Sequence, residues 1–128
     1  MTTTLWCLFV VTLMPFLLAA FGGYHRGKQF DNIDNKNPRA QALGLTGTGA
    51  RIYAAQANAW EAIMLFAPAV LASVAVGVDP NASAPWALTF VAARVLHALF
   101  YIVDQDKLRS LAFMVAMACV IAIFIQAA

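Results

Sequence analysis

Apolar residues fill four long stretches of this chain, and polar residues fill the gaps between them. The stretches run from Leu5 to Phe21, Ile52 to Val78, Pro85 to Val103 and Leu108 to Ile125. Each has the length, or nearly the length, that an α-helix needs to cross a bilayer at ~1.5 Å per residue. The pattern therefore predicts an all-α integral membrane protein, a bundle of four helices at about 3–22, 51–78, 84–104 and 107–126.

Composition leaves room for only one domain. Of the 128 residues, 62% are hydrophobic and 11% are charged, and the mean hydropathy is +0.75, which is far from the balance of a soluble domain. We expect a single membrane domain over residues 1–128, with one long loop at 23–50 and no nucleic-acid partner. Cys7 and Cys119 lie inside apolar segments without metal-ligand spacing, so we expect buried thiols and no metal site.

The basic residues are unevenly placed. Those in and beside the first and third loops are Arg26, Lys28, Lys36, Arg39, Arg51, Lys107 and Arg109. The N-terminus, the second loop and the C-terminus carry neither Lys nor Arg. By the positive-inside rule, the first and third loops face the cytoplasm and both termini lie on the other side.

Two polar residues, Asn58 and Glu61, interrupt the second apolar stretch. Their spacing places them on one face of a helix. A charged side chain inside a membrane span is costly, so it requires an ion pair, a proton or a ligand. Glu61 is therefore a candidate functional residue that needs a partner.

A matching polar face occurs on the third stretch. Arg94, His97 and Tyr101, here called the polar line, are spaced i, i+3 and i+7 and share one helix face. Counting from Arg51 and from Asp104 puts Glu61 and Arg94 at the same depth, ~15 Å from the cytoplasmic ends. We therefore expect a direct ion pair between them. The alternative interpretation is that the pair only locks two helices together.

His97 and Tyr101 continue the polar line beyond what locking two helices requires. With Arg51, Asn58 and Arg109 they predict a pocket with excess hydrogen-bond donors. Such a pocket suits an anionic, hydrogen-bonding small molecule.

These motifs resemble a known family. Arg51 with Asn58-Ala-Trp-Glu61, Arg94-Val-Leu-His97-Ala-Leu-Phe-Tyr101, and Leu108-Arg109-Ser110 are similar to segments of the MAPEG family, the membrane-associated proteins of eicosanoid and glutathione metabolism. The resemblance spans nearly the whole chain. The Asn-Pro-Arg loop and the Leu-Arg-Ser start of the fourth helix look like bacterial members, which implies a bacterial inner membrane.

The resemblance implies a homotrimer in membrane lipid that binds glutathione between subunits and acts on an apolar small-molecule substrate as a transferase or peroxidase. It assigns glutathione contacts to the positions of Asn58, Glu61, His97 and Tyr101, with Arg94 supporting the binding site. We expect Arg51 to be a further glutathione-binding residue. Arg109 and Ser110 match catalytic positions beside the thiol. A cation or hydroxyl there would raise the thiolate fraction of a thiol that otherwise titrates near ~8.5.

The chain departs from the synthase members of that family on the second helix. Ala54 and Ala57 stand where those members carry arginines that hold glutathione carboxylates, and Met64 replaces a frequent proline. A non-catalytic membrane scaffold or lipid-binding member is therefore the alternative. A small multidrug transporter also has four helices and a membrane glutamate, but that family carries it on the first helix, which is uncharged here.

Overall fold

The computed structural model describes all 128 residues and contains five helices and no strand. The helices are α1 (Thr3–Phe30), α2 (Pro38–Leu43), α3 (Gly47–Ala75), α4 (Pro80–Ile102) and α5 (Asp106–Ala127). All except α2 are long and apolar enough to cross a membrane. The prediction of an all-α membrane bundle with four spanning helices is confirmed.

The predicted loop at 23–50 is largely wrong. The first helix continues past residue 22 to Phe30, because its hydrogen bonding does not stop where the apolar pattern ends and residues 23–30 include no proline. It ends at Asp31, whose φ of 55° leaves the helical region. Pro38 then begins α2, where its missing N–H costs nothing. The next helix begins at Gly47 rather than at residue 51.

Glutamine side chains order the segment between α1 and α3. The Gln29 amide donates to the carbonyl of Gly44 over 2.9 Å and accepts from the N–H of Thr46 over 3.0 Å. Gln41 donates to the carbonyl of Asn32 and accepts from the N–H of Asp34. These bonds satisfy backbone groups that no helix covers, so the connector is a defined structure.

Asp34 forms the turn that precedes α2. Its carboxylate accepts from the N–H groups of Lys36 and Asn37, at 2.8 and 3.0 Å. The N–H of Asn37 and then that of Lys36 hold the pKa of this carboxyl below its ordinary value, because both bonds favour the charged form. Asp34 therefore stabilises the turn that leads into α2.

Small residues form the buried face of α3. Its buried positions recur every three or four residues: Gly49, Ile52, Ala55, Ala59, Ala62, Phe66, Ala69, Val70 and Ser73. Small side chains allow helix backbones to approach closely, which is how helices pack when lipid removes the usual hydrophobic driving force. This face therefore brings α3 against its neighbours closely enough for side-chain bonds between helices.

The central pair of helices is α3 and α4. α1 packs against both of them, and so does α5, but α1 and α5 do not touch each other. Phe66 on α3 and Phe90 on α4 stack with ring centroids 4.0 Å apart, and both are almost fully buried. Cys7 and Cys119 lie in the same core as free, buried thiols, as expected. The α3–α4 contact thus organises the bundle.

We expect Phe66→Ala to lower the free energy of unfolding by about 3 kcal/mol, because it leaves a cavity beside Phe90 that rigid neighbours cannot fill. Reversible unfolding in detergent measures this loss. Leu71→Ala is the matched control, since Leu71 lies on the same helix but is 55% exposed. Equal losses in the two variants would contradict the assigned core.

Candidate functional site

A buried arginine joins α4 to α3 inside the membrane-spanning part of the bundle. Arg94 is only 3% exposed. Its Nη2 donates to the side-chain oxygen of Asn58 over 2.6 Å and to the main-chain carbonyl of the same residue over 3.2 Å. Asn58 in turn donates through Nδ2 to Glu61 Oε2 over 3.0 Å. The three side chains form one hydrogen-bonded chain.

The direct ion pair predicted between Arg94 and Glu61 is wrong. The one salt bridge in the structure joins Arg51 to Asp104. The depth count placed Glu61 level with Arg94, whereas the Arg94 guanidinium donates to the side-chain oxygen and the main-chain carbonyl of Asn58. Asn58 therefore lies opposite Arg94, and Glu61 lies nearly one helical turn further along.

A pocket of about 130 Å³ opens beside this chain of bonds. Asn58, Glu61 and Arg94 form its polar side. Its apolar side comes from all three surrounding helices, through Ala62, Leu65, Phe90, Phe113, Ala116, Met117 and Val120. The pocket therefore combines hydrogen-bonding groups with an apolar wall inside the bundle.

Two buried donor or acceptor atoms near this region have no partner in the chain. They are Nε of Arg94 and Nδ1 of His97, and His97 is only 4% exposed. Most buried polar groups in folded proteins are paired. Unpaired nitrogens on adjacent turns of α4 indicate a place where a hydrogen-bonding ligand or water completes the structure.

Toward the end of α4, the polar line meets a second cation. The His97 and Tyr101 rings contact edge-on with centroids 5.3 Å apart. The guanidinium carbon of Arg109, on the first turn of α5, lies 4.3 Å from the centre of the Tyr101 ring. This is a cation–π contact. It brings Arg109 to the polar line.

Arg51 and Ser110 bond mainly to the protein itself. Arg51 donates to the Ile102 carbonyl and to the hydroxyl of Thr48, each over 3.1 Å. The Ser110 hydroxyl donates to the carbonyl of Asp106 one turn earlier, over 3.0 Å. Both residues lie at the end of the bundle that carries Arg109, and their ligand roles stay predictions.

Phe113 and Met117 on α5 are not among the candidate site residues predicted from the sequence. They line the pocket with Ala116 and Val120. The spacing of 113, 116, 117 and 120 along one helix face was the available signal. That face could not be oriented toward Glu61 without the packing of α5 against α3.

The family model that matches this chain is the MAPEG family, over residues 3–128. The chain belongs to the MAPEG family. No curated protein and no solved structure gives a match. With four helices of spanning length, this MAPEG protein is an integral multi-pass membrane protein.

We expect Asn58→Ala to destabilise this MAPEG protein by about 3 kcal/mol, because the change leaves the buried Arg94 guanidinium without its acceptor. Unfolding in detergent measures the effect. Gln56→Ala, two residues earlier on the same helix, serves as the control and should change stability by less than ~0.5 kcal/mol. An Asn58→Ala loss no larger than the control would show that Arg94 finds another partner.

Proposed function

We propose that this protein is a glutathione-dependent transferase or peroxidase that acts on apolar electrophiles as a homotrimer. The observation that carries the proposal is the polar line with its unpaired nitrogens, set beside an apolar pocket wall. A tripeptide thiol supplies hydrogen-bonding groups for the first, and an apolar co-substrate from the bilayer suits the second.

The positions of the residues support a division of roles. Asn58, Glu61, Arg94 and His97 lie along the inner part of the site and would hold the peptide. Arg109 lies at its end, beside Tyr101, where a cation would stabilise a thiolate. The Ser110 hydroxyl would have to leave the carbonyl of Asp106 to assist, so we assign Arg109 the main catalytic role.

A glutathione thiolate bound beside Arg109 can carry out both of the proposed reactions. In conjugation, the thiolate donates an electron pair to an electrophilic carbon, a carbon–sulfur bond forms, and the leaving group departs with its bonding pair. In peroxide reduction, the thiolate attacks one peroxide oxygen and the O–O bond breaks to release an alcohol. A second glutathione then displaces water from the sulfenic acid to give the disulfide.

The exposure of Glu61 supports the proposed assembly. Its carboxylate is exposed on the side of the single chain, ten residues along α3 from Arg51. Placing a charge against lipid at that depth costs about 2.5–3.5 kcal/mol on insertion scales. A second copy or a ligand would remove this cost. The number of copies, three, comes from the family resemblance. The distribution of basic residues supports a cytoplasmic position for the Arg109 end, and the resemblance to bacterial members supports a bacterial inner membrane.

A scaffold or lipid-binding role is the second candidate. Arg51 and Arg94 already bond inside the chain, and Ala54 and Ala57 offer no cation to a second carboxylate. These two observations favour a protein that keeps the polar residues for helix packing and assembly.

The enzyme proposal predicts that glutathione binds the detergent-solubilised protein and raises its unfolding temperature by mass action. Arg109→Ala should retain that binding and lose at least ~90% of conjugation activity, since it removes the thiolate's cation. Lys107→Ala, an exposed cation on the same turn of α5, is the control. If calorimetry detects no binding heat when millimolar glutathione is added to the folded protein, the enzyme proposal is wrong and the scaffold role is favoured.

The assembly is tested separately by mass measurement in detergent. We expect a trimer for the native chain and dissociation in Glu61→Ala, because Glu61 would lie between subunits. Met64→Ala is the control, because it removes an apolar side chain of the same helix that is 68% exposed. It should leave the mass of the assembly unchanged. A monomeric native protein would contradict the proposed assembly.

A further inference from the structure

The turn between α4 and α5 has a specific hydrogen-bond pattern. The N–H of Gln105 donates to the carbonyl of Phe100 over 2.8 Å, and that of Asp104 donates to the carbonyl of Tyr101 over 3.2 Å. This pair of bonds is a Schellman motif. It satisfies two of the last carbonyls of α4 and leaves that of Ile102 to another donor.

Arg51, on the first turns of α3, is that donor. Its Nε lies 3.1 Å from the Ile102 carbonyl oxygen, and its Nη2 lies 3.1 Å from the hydroxyl of Thr48. Its Nη1 lies 3.8 Å from Asp104 Oδ2. Since a guanidinium presents its donors in a fixed planar fork, the two hydrogen bonds set its orientation, and Nη1 then faces the carboxylate of Asp104.

Asp104 occupies a backbone position that normally selects glycine. Its φ is 60°, in the left-handed region, where a side chain is disfavoured. The equivalent position after α3 is Gly77, with φ 76°. An aspartate in place of glycine supplies a carboxylate facing Arg51, which gives this turn an ion pair that the α3–α4 turn lacks.

Arg109 depends on the same turn. Its N–H donates to the carbonyl of Gln105 over 3.0 Å, and its guanidinium lies over Tyr101. Tyr101 itself accepts from the N–H of Asp104. The main chain of Tyr101 is thus bonded to Asp104, which faces Arg51, and Arg109 is bonded to the next residue of the turn, Gln105.

We propose that Arg51 and Asp104 form a clasp that positions Arg109 over Tyr101, so that Arg51 acts on a bound ligand through the turn and not by contact. Arg51 is a positioning residue in this assignment, in place of the ligand contact expected from the sequence. The clasp stands on the geometry of the chain, and only its consequence for a bound thiol rests on the proposed function.

Amide hydrogen exchange tests the clasp without any ligand. In Arg51→Ala, exchange at the N–H groups of Gln105 and Arg109 should rise about tenfold, because the carbonyl of Ile102 and the carboxylate of Asp104 both lose their partner. Asp104→Asn should raise it only about two- to fivefold, since that carboxylate is 75% exposed and solvent screens the pair.

Asp106→Asn is the matched control, because it removes a carboxylate from the same region that does not face Arg51. It should leave exchange at Gln105 unchanged. Arg51→Lys keeps the charge but not the planar fork, so its exchange should fall between that of the native protein and that of Arg51→Ala. Unchanged exchange in both Arg51 variants would overturn the clasp.

The consequence for the site is tested by the ultraviolet absorbance of bound glutathione thiolate at fixed pH. In Arg51→Ala the thiolate fraction should fall at least threefold while the Kd for glutathione changes less than twofold, with partial recovery in Arg51→Lys. A Kd that rises tenfold or more would identify Arg51 as a ligand contact and overturn the positioning role. If the native protein binds no glutathione, the proposed function fails and amide exchange still decides the clasp.

Discussion

Burial of the Arg94 guanidinium within a membrane-spanning helix is the constraint on which the rest of the structure depends. A charge in that position must be surrounded by acceptors, because lipid offers none. Asn58 supplies two, its side-chain oxygen and its main-chain carbonyl. These bonds fix the register of α4 against α3, and the register decides which other residues of the two helices meet.

The same arrangement leaves several polar groups of the site without a hydrogen-bond partner within one chain. Asn58 passes its donor to Glu61, whose carboxylate is exposed, while Nε of Arg94 and Nδ1 of His97 have no partner. Small residues on the buried face of α3 hold the helices close together. A rigid bundle with unsatisfied polar atoms along one line is the physical basis of the proposed ligand site and assembly.

Side chains at the helix ends determine much of how the helices are arranged. The alanine-rich faces that pack the bundle are similar along α3, α4 and α5, so side chains at the ends distinguish one arrangement from another. Gln29 and Gln41 bond the connector before α3, and Arg51 bonds the turn before α5. Polar side chains at these ends stabilise one arrangement in a way that apolar packing cannot, because each forms a hydrogen bond with a backbone group that has no helical partner.

The sequence by itself determined the number and approximate extent of the spanning helices, since the length of an apolar run is read directly from its residues. It also determined that Asn58 and Glu61 share one face of their helix and that Arg94, His97 and Tyr101 share one face of theirs, because spacing fixes a helix face. It did not determine the ends of the helices in the 23–50 region, where bonds from Gln29, Gln41 and Asp34 outweigh the polar composition.

Only the tertiary structure decided which of these residues touch. The packing of α4 on α3 placed Asn58 between Arg94 and Glu61, and depth counting from uncertain helix ends cannot resolve a difference of less than one helical turn. The packing of α5 brought Phe113 and Met117 to the pocket and Arg109 to Tyr101, since rotation of a nearly uniform apolar helix leaves no trace in its sequence. Contacts between helices depend on register and rotation, which are properties of the packed bundle.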